Sequence, residues 1–147
     1  FSGEESRTGG RKGGQWYFRK GNVTSARFDD SVVIRSVKDY LMKYSDERAA
    51  LTASHELSHA YYYYHRSRVY WAIKEAFKNA KSEKLYLNVK HENGGVIRKG
   101  YAIINQREYF AELSKIFNIG NYYSPFNADE LKMYDPLGYE VISSTYL

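Results

Sequence analysis

The chain has 147 residues, of which 43% are hydrophobic and 27% are charged. This size and composition are typical of one soluble globular domain, and they exclude a disordered or a fibrous chain. No apolar run approaches the roughly 20 residues that cross a bilayer, so we expect no membrane span. Because the chain has no cysteine, a bound metal must be held by histidine and carboxylate side chains.

The formal net charge of +5 is unevenly distributed, since residues 1–100 are basic and residues 101–147 are acidic overall. No known reader motif accompanies the basic region, so we expect no nucleic-acid partner. The chain starts with Phe1 and has no signal-peptide pattern, which is expected of a processed product or an excised domain.

The first 14 residues are polar and glycine-rich, and we interpret them as a flexible lead-in to a domain that spans residues 15–147. Two β-branched or aromatic runs follow, at 15–20 and 31–37, and each is bounded by turn-forming residues. We predict a strand for each run.

Helical spacing of apolar residues then predicts a helix from an Asp46 cap to about Tyr64, and a second helix over 69–81. Residues 85–102 are predicted to form a short hairpin or an irregular loop around Asn93-Gly94-Gly95. A third helix is predicted over 105–117, and capping patterns predict two short terminal helices. Their expected caps are Asn105, Asn127 and Asp135. The predicted fold class is therefore α+β.

The strongest chemical signal is His55-Glu56-Leu57-Ser58-His59, which falls inside the first predicted helix. Residues four apart lie on the same helical face, so His55 and His59 can point at one metal ion. Two imidazoles and one carboxylate leave a tetrahedral zinc ion one position for water, as catalytic zinc sites do. Glu56, next to the first ligand, is then placed to act as the base for that water.

A third ligand is available in the third predicted helix, where Glu108 and Glu112 are again four residues apart. Two inward-facing carboxylates need a cationic partner, because an unpaired buried charge is costly. We expect Glu108 to complete the zinc site and Glu112 to accept the free N–H of a ligating histidine. The alternatives are that the two histidines share a helix by accident and that both carboxylates face solvent.

The His55–His59 motif (HExxH), followed by Asn105-x-x-Glu108-Tyr-Phe-Ala-Glu112, resembles the catalytic domain of the anthrax lethal factor family of zinc metallopeptidases. The stretch Tyr123-x-Pro-Phe-Asn, through to Asp135-Pro136, resembles related microbial, largely secreted zinc peptidases. The resemblance implies a zincin-like fold with a gluzincin-type third ligand. Such a fold has a small N-terminal sheet, an active-site helix, a second helix with the third ligand, and an edge strand that aligns the substrate.

The resemblance also implies that His55, His59 and Glu108 bind one zinc ion, that Glu56 is the base, and that Tyr101 stabilises the oxyanion. It implies secretion, although a chain without cysteine is equally compatible with the cytoplasm. From the residues alone, Tyr101 cannot be preferred over other tyrosines of the region, such as Tyr109 and Tyr122. The remaining two histidines are expected to flank a helix or lie at the surface, and no metal role is assigned to them: His65 and His91.

The expected function is that of a zinc-dependent endopeptidase that hydrolyses a protein or peptide substrate. One alternative is a catalytically silent zincin-fold binding module or toxin subunit that holds a partner on its basic, tyrosine-rich surface. A nonpeptide metallohydrolase is the other.

Overall fold

The computed structural model describes residues 15–18, 31–34, 42 and 45–147. In this part of the chain the fold is mixed α/β and mostly helical, with two small two-stranded sheets. The predicted mixture of helix and strand is confirmed at this level. The flexible lead-in predicted for residues 1–14 lies outside the described residues.

The first sheet pairs β1 (Gln15–Phe18) with β2 (Ser31–Ile34) in antiparallel register, so that Gln15 lies opposite Ile34. Both strands begin where the sequence predicts. Their predicted ends, at residues 20 and 37, fall outside the described residues.

The second sheet is a hairpin of β3 (Leu87–Lys90) and β4 (Val96–Lys99), joined by a turn in which Gly94 has a φ of 86°. A positive φ of this size is readily adopted by glycine, which explains why the turn contains it. Of the hairpin or irregular loop predicted for residues 85–102, the structure has the hairpin, and its second strand ends at Lys99. There the Gly100 N–H donates to the Tyr86 carbonyl, and the chain turns into a short 3₁₀ helix over Tyr101–Ile103.

Two helices follow β2 in sequence, α1 (Asp46–Tyr64) and α2 (Arg66–Ser82). The N-cap of α1 is Ser45 and not the predicted Asp46, because the extended Ser45 accepts the Arg48 N–H while Asp46 is already helical. Helix α2 begins three residues before its predicted start at Val69. Only His65 separates the two helices, and its backbone leaves the helical region.

The last three helices are α3 (Gln106–Asn118), α4 (Ala128–Tyr134) and α5 (Pro136–Tyr146). Their caps are the three predicted ones: Asn105, Asn127 and Asp135 each accept a backbone N–H of the first turn. Pro136 occupies the first turn of α5, where its missing N–H costs nothing.

Helix α3 lies at the centre of the described fold, since every residue from Tyr109 to Ile116 is buried. It packs against α1 on one side and against α5 on another. A helix buried all round is expected to be apolar, yet α3 contains buried Glu112 and Lys115. These charged groups in the core point to a role other than packing.

No helix in the described part of the chain combines the length and the apolar character needed to cross a lipid bilayer.

Candidate metal centre

The centre starts from the spacing of two histidines on α1. His55 and His59 stand one helical turn apart, with their rings nearly perpendicular and their centroids 4.7 Å apart. Their Nε2 atoms are 3.0 Å from each other, so both ring nitrogens turn toward the same point. His55 is buried and His59 is partly buried.

The third group comes from the first turn of α3, where the Asn105 cap fixes the position of Glu108. The Asn105 Oδ1 accepts the backbone N–H groups of Arg107 and Glu108, at 2.9 and 3.0 Å. The Glu108 Oε2 then lies 3.0 Å from the Nε2 of His55 and 3.6 Å from the Nε2 of His59. Helix packing thus brings a carboxylate against two imidazoles that are about 50 residues away in sequence.

The three ligand atoms fit one zinc ion. Metal–ligand bonds of about 2.0–2.1 Å in a tetrahedron place neighbouring ligand atoms about 3.3 Å apart. The observed edges of the triangle are 3.0, 3.0 and 3.6 Å. Two nitrogens and one carboxylate oxygen are also the donor types that zinc prefers, and three ligands leave a fourth position open. The cluster of His55, His59 and Glu108 can therefore hold a metal ion.

The electrostatics of the cluster favour a cation. Burial alone would lower the pKa of His55, but hydrogen bonds and charge from Glu108 and Glu112 outweigh it and raise that pKa to about 9. Burial alone would raise the pKa of Glu108, but contacts with His55 and His59 lower it to about 2. Positive charge at this position, whether on an imidazole or on a metal, is strongly stabilised.

Glu112 lies behind His55, on the side away from the three ligand atoms. Its Oε1 is 2.7 Å from the Nδ1 of His55, a hydrogen-bond distance, although the carboxylate lies off the ideal N–H direction. Burial would raise the pKa of this carboxyl, but Lys115 and His55 lower it below its usual value. An ionised Glu112 in this position favours the His55 tautomer with its proton on Nδ1, which frees Nε2 for a metal.

Two further groups hold Glu112, and neither is among the predicted site residues. The Lys115 Nζ donates to Glu112 Oε1 at 2.8 Å, and the Tyr123 hydroxyl makes a short hydrogen bond to Oε2. The three-residue spacing of Glu112 and Lys115 on a helix was a usable signal. Tyr123 begins a stretch that carries the family resemblance, but its contact with Glu112 was not predicted, because that contact depends on how the chain folds back after α3.

Glu56 and Tyr101 both lie beside the cluster. Glu56 follows His55 on α1 and is half-buried, and its negative charge contributes to the raised pKa of His55. Tyr101 begins the 3₁₀ helix, is 53% exposed, and has its ring centroid 6.3 Å from that of His55.

The two other tyrosines named with Tyr101 have different environments. Tyr109 is fully buried and donates its hydroxyl proton to Asp135 in the core. The Tyr122 ring lies 4.8 Å from the Arg48 guanidinium and 5.4 Å from the Lys115 ammonium. Of these three tyrosines, Tyr101 has its ring beside a histidine of the cluster.

His65 and His91 lie outside the three-residue cluster. His65 joins α1 to α2 and stacks on Tyr61 at 4.2 Å, in keeping with the predicted place beside a helix. His91 is half-buried rather than at the surface, because it forms a bridge with Tyr123 beside the hairpin.

Comparisons with protein-family models, with curated proteins and with solved structures find no significant match to this chain. Any proposal for the function of this chain therefore rests on the geometry of the cluster and on the sequence motifs.

Proposed function

We propose that the chain is a zinc-dependent endopeptidase in which His55, His59 and Glu108 bind the metal. The observation that supports this most directly is the triangle of two Nε2 atoms and one carboxylate oxygen, with edges of 3.0–3.6 Å. Such a triangle leaves one open coordination position, which is typical of catalytic zinc and unlike a closed structural site.

A zinc ion held by His55, His59 and Glu108 would lower the pKa of a bound water to about 7 and would supply a Lewis acid for a substrate carbonyl. Glu56 is the proposed base, because it is adjacent to a ligand and acts electrostatically on the same imidazole. It accepts the proton of the water and later delivers that proton to the leaving amine.

The proposed role of Tyr101 is to stabilise the negative charge that develops on the carbonyl oxygen. Its exposed ring is next to His55, so its hydroxyl is accessible to a bound substrate. A phenol that donates to a developing oxyanion stabilises the transition state more than the ground state, which is what raises the rate.

The resemblance to the anthrax lethal factor family supports the same assignment through the HExxH pattern and the Asn105–Glu112 stretch. We therefore also propose that the helical fold around the centre is zincin-like, with a protein or peptide as substrate.

The decisive experiment combines metal analysis with a substrate screen. We expect about one zinc per chain by elemental mass spectrometry, and cleavage of members of a peptide library that a chelator abolishes. His59→Ala, matched with His65→Ala outside the cluster, shows whether the cleavage depends on this centre. Zinc without cleavage would favour the silent binding module, and cleavage of nonpeptide esters or amides alone would favour another metallohydrolase. Absence of zinc uptake would refute the proposal.

A further inference from the structure

The Glu112 carboxylate is enclosed by three donor groups that come from three parts of the chain. Oε1 lies 2.8 Å from the Lys115 Nζ and 2.7 Å from the His55 Nδ1, and Oε2 accepts the Tyr123 hydroxyl. Glu112 and Lys115 are each 3% exposed, and Tyr123 is 1% exposed. Both carboxylate oxygens are therefore engaged, Oε1 by Lys115 and Oε2 by Tyr123.

A buried ion pair of this kind is weak evidence for a role in stability. Removing a carboxylate and an ammonium from water costs several kcal/mol for each ion, and apolar replacements of similar volume are often as stable. The Lys115 ammonium gains further compensation from two rings, since it lies 5.4 and 5.7 Å from the centroids of Tyr122 and Tyr123. The charges of Glu112 and Lys115 are thus compensated by their surroundings. Their position beside His55, a candidate ligand, indicates a role in orienting that imidazole.

The Tyr123 hydroxyl has a second contact that reaches the other side of the centre. It accepts the backbone N–H of Tyr101 at 3.2 Å while it donates to Glu112. One hydroxyl group therefore connects the carboxylate behind His55 with the first residue of the 3₁₀ helix. A change in Tyr123 must affect both the imidazole and the segment that places the Tyr101 ring.

Charge balance explains why a lysine is useful here. With neutral imidazoles, Glu108 and Glu112 bring two negative charges within reach of the metal position, and together they would neutralise a divalent ion. The Lys115 ammonium, 2.8 Å from Glu112, offsets one of them. Because Glu56 adds a third carboxylate beside His55, the ammonium keeps the centre from becoming net negative when a divalent ion is bound.

We propose that Lys115 and Tyr123 are positioning residues of the metal centre. Lys115 holds the Glu112 carboxylate against the His55 Nδ1, and Tyr123 holds the same carboxylate while it anchors the backbone of Tyr101. This inference rests on the proposed binding of zinc by His55, His59 and Glu108. It extends the site to two residues that touch neither the metal position nor the substrate.

The test measures zinc affinity of Lys115→Met and Tyr123→Phe by competition with a chromophoric chelator, beside urea unfolding of each variant. Each change is expected to weaken zinc binding by about 10–100-fold, the usual effect of groups that orient a ligand. Visible absorption of the cobalt-substituted proteins should change in band position or intensity, because the His55 ring is no longer fixed. Lys115→Arg retains the charge and should restore most of the affinity.

Matched controls separate positioning from stability. Tyr109→Phe also removes a buried hydroxyl that donates to a buried carboxylate, but that carboxylate belongs to Asp135, which is not part of the cluster. It should lower the free energy of unfolding and leave zinc affinity within about 2-fold of wild type. Lys78→Met, which changes a lysine in an exposed pair with Glu75, controls for loss of positive charge.

Lys115→Met leaves the Glu112 charge without its lysine partner, and the variant could fold poorly for that reason. A double-mutant cycle with Glu112→Gln, which removes that charge, keeps the proposal testable. In the Glu112→Gln background, Lys115→Met should have little further effect on zinc affinity, because the two residues act as a unit. Additive losses would overturn the proposed coupling, and unchanged affinity in both single variants would overturn the whole inference.

Activity at saturating zinc distinguishes the two residues. Lys115→Met should recover most of its kcat/KM once zinc is saturating, whereas Tyr123→Phe should stay below wild type because Tyr101 is displaced. Equal recovery of both variants would contradict the link to Tyr101. A wild-type protein that binds no zinc would refute the proposed function itself. If the wild-type protein binds zinc but cleaves no peptide, the zinc affinities of the variants still test the positioning role.

Discussion

At the scale of single residues, the three acidic side chains near the centre differ in what surrounds them. Glu108 is partly exposed and faces two imidazole Nε2 atoms, whereas Glu112 is buried and faces one Nδ1 and an ammonium. Glu56 is half-buried on α1, adjacent to a ligand. The same functional group therefore has three expected roles, as ligand, as orienting group and as base.

Glu56→Gln is expected to keep the metal and lose the reaction. The amide preserves the shape of the side chain but cannot accept a proton, so hydrolysis should fall by about 10²–10⁴-fold, the usual contribution of a general base. Zinc content by mass spectrometry and kcat on a cleaved peptide measure the two effects separately. Loss of zinc in this variant would mean that Glu56 is a ligand.

Glu108→Ala and Glu112→Ala should differ in severity. Removing Glu112 leaves all three ligands in place, so zinc affinity should weaken by about 10–100-fold, whereas removing Glu108 deletes a ligand and should weaken it considerably more. Zinc titrations of both variants give the ranking. If Glu112→Ala is the more damaging change, the two roles are reversed.

At the scale of elements, one helix cap fixes the position of Glu108, the proposed third ligand. The Asn105 side chain caps α3 by accepting the backbone N–H of Glu108. The Asn127 side chain caps α4 in the same way, by accepting the backbone N–H of Glu130. The first cap therefore affects both the stability of its helix and the position of a ligand. The second affects only the stability of its helix.

Asn105→Ala should consequently lower both the free energy of unfolding and the affinity for zinc. Loss of an N-cap costs about 0.5–2 kcal/mol, and a frayed first turn no longer holds Glu108 in place. Asn127→Ala is the matched control, with a similar loss of stability and unchanged zinc affinity. Urea unfolding and chelator competition on both variants test the comparison, and equal zinc affinities would refute the positional role of Asn105.

The elements also show what sequence patterns can predict. The caps at Asn105, Asn127 and Asp135 were predictable, because capping depends on residues within one turn of each other. The start of α2 was not, because Arg66-Ser67-Arg68 contains no apolar residue that would extend the helical periodicity. The end of β4 was not predictable either, because Tyr101, Ala102 and Ile103, which form the 3₁₀ helix, have no sequence pattern that distinguishes them from a strand.

The same distinction applies to the site. The meeting of His55 with His59 follows from helical spacing, and the approach of Glu108 was expected once a buried carboxylate needed a partner. The contact between Tyr123 and Glu112 could not be predicted from a sequence pattern, because it forms where the segment after α3 returns past the hairpin. Local geometry was predictable, whereas a long-range contact was predictable only where, as for Glu108, a buried charge needed a partner.

At the scale of the whole molecule, the centre lies at the contact between α1 and the central helix α3. A ligand that binds only the folded chain stabilises it in proportion to the logarithm of its free concentration. Zinc should therefore act on the stability of the entire described fold and not on one loop.

Chelation is expected to lower the Tm of the protein. Free zinc at 100 times its Kd contributes about 2.7 kcal/mol to the stability of the fold, and this contribution disappears when a chelator removes the metal. Calorimetry with and without chelator measures the shift, and His59→Ala, which lacks a ligand, should show a much smaller one. A wild-type Tm that does not respond to chelator would contradict metal binding to the folded chain.

The Asn93–Gly95 turn lies between the segments that provide the ligands, with both histidines before it and Glu108 after it. A backbone cut at this exposed turn would divide the protein into two pieces, which the proposed bonds to the metal would join in addition to the packing of α1 on α3. The nicked protein should run as one species in native mass spectrometry with zinc, and separate into fragments more readily after chelation. In a chain without cysteine, the ion would then join the two halves as a disulfide does in other proteins.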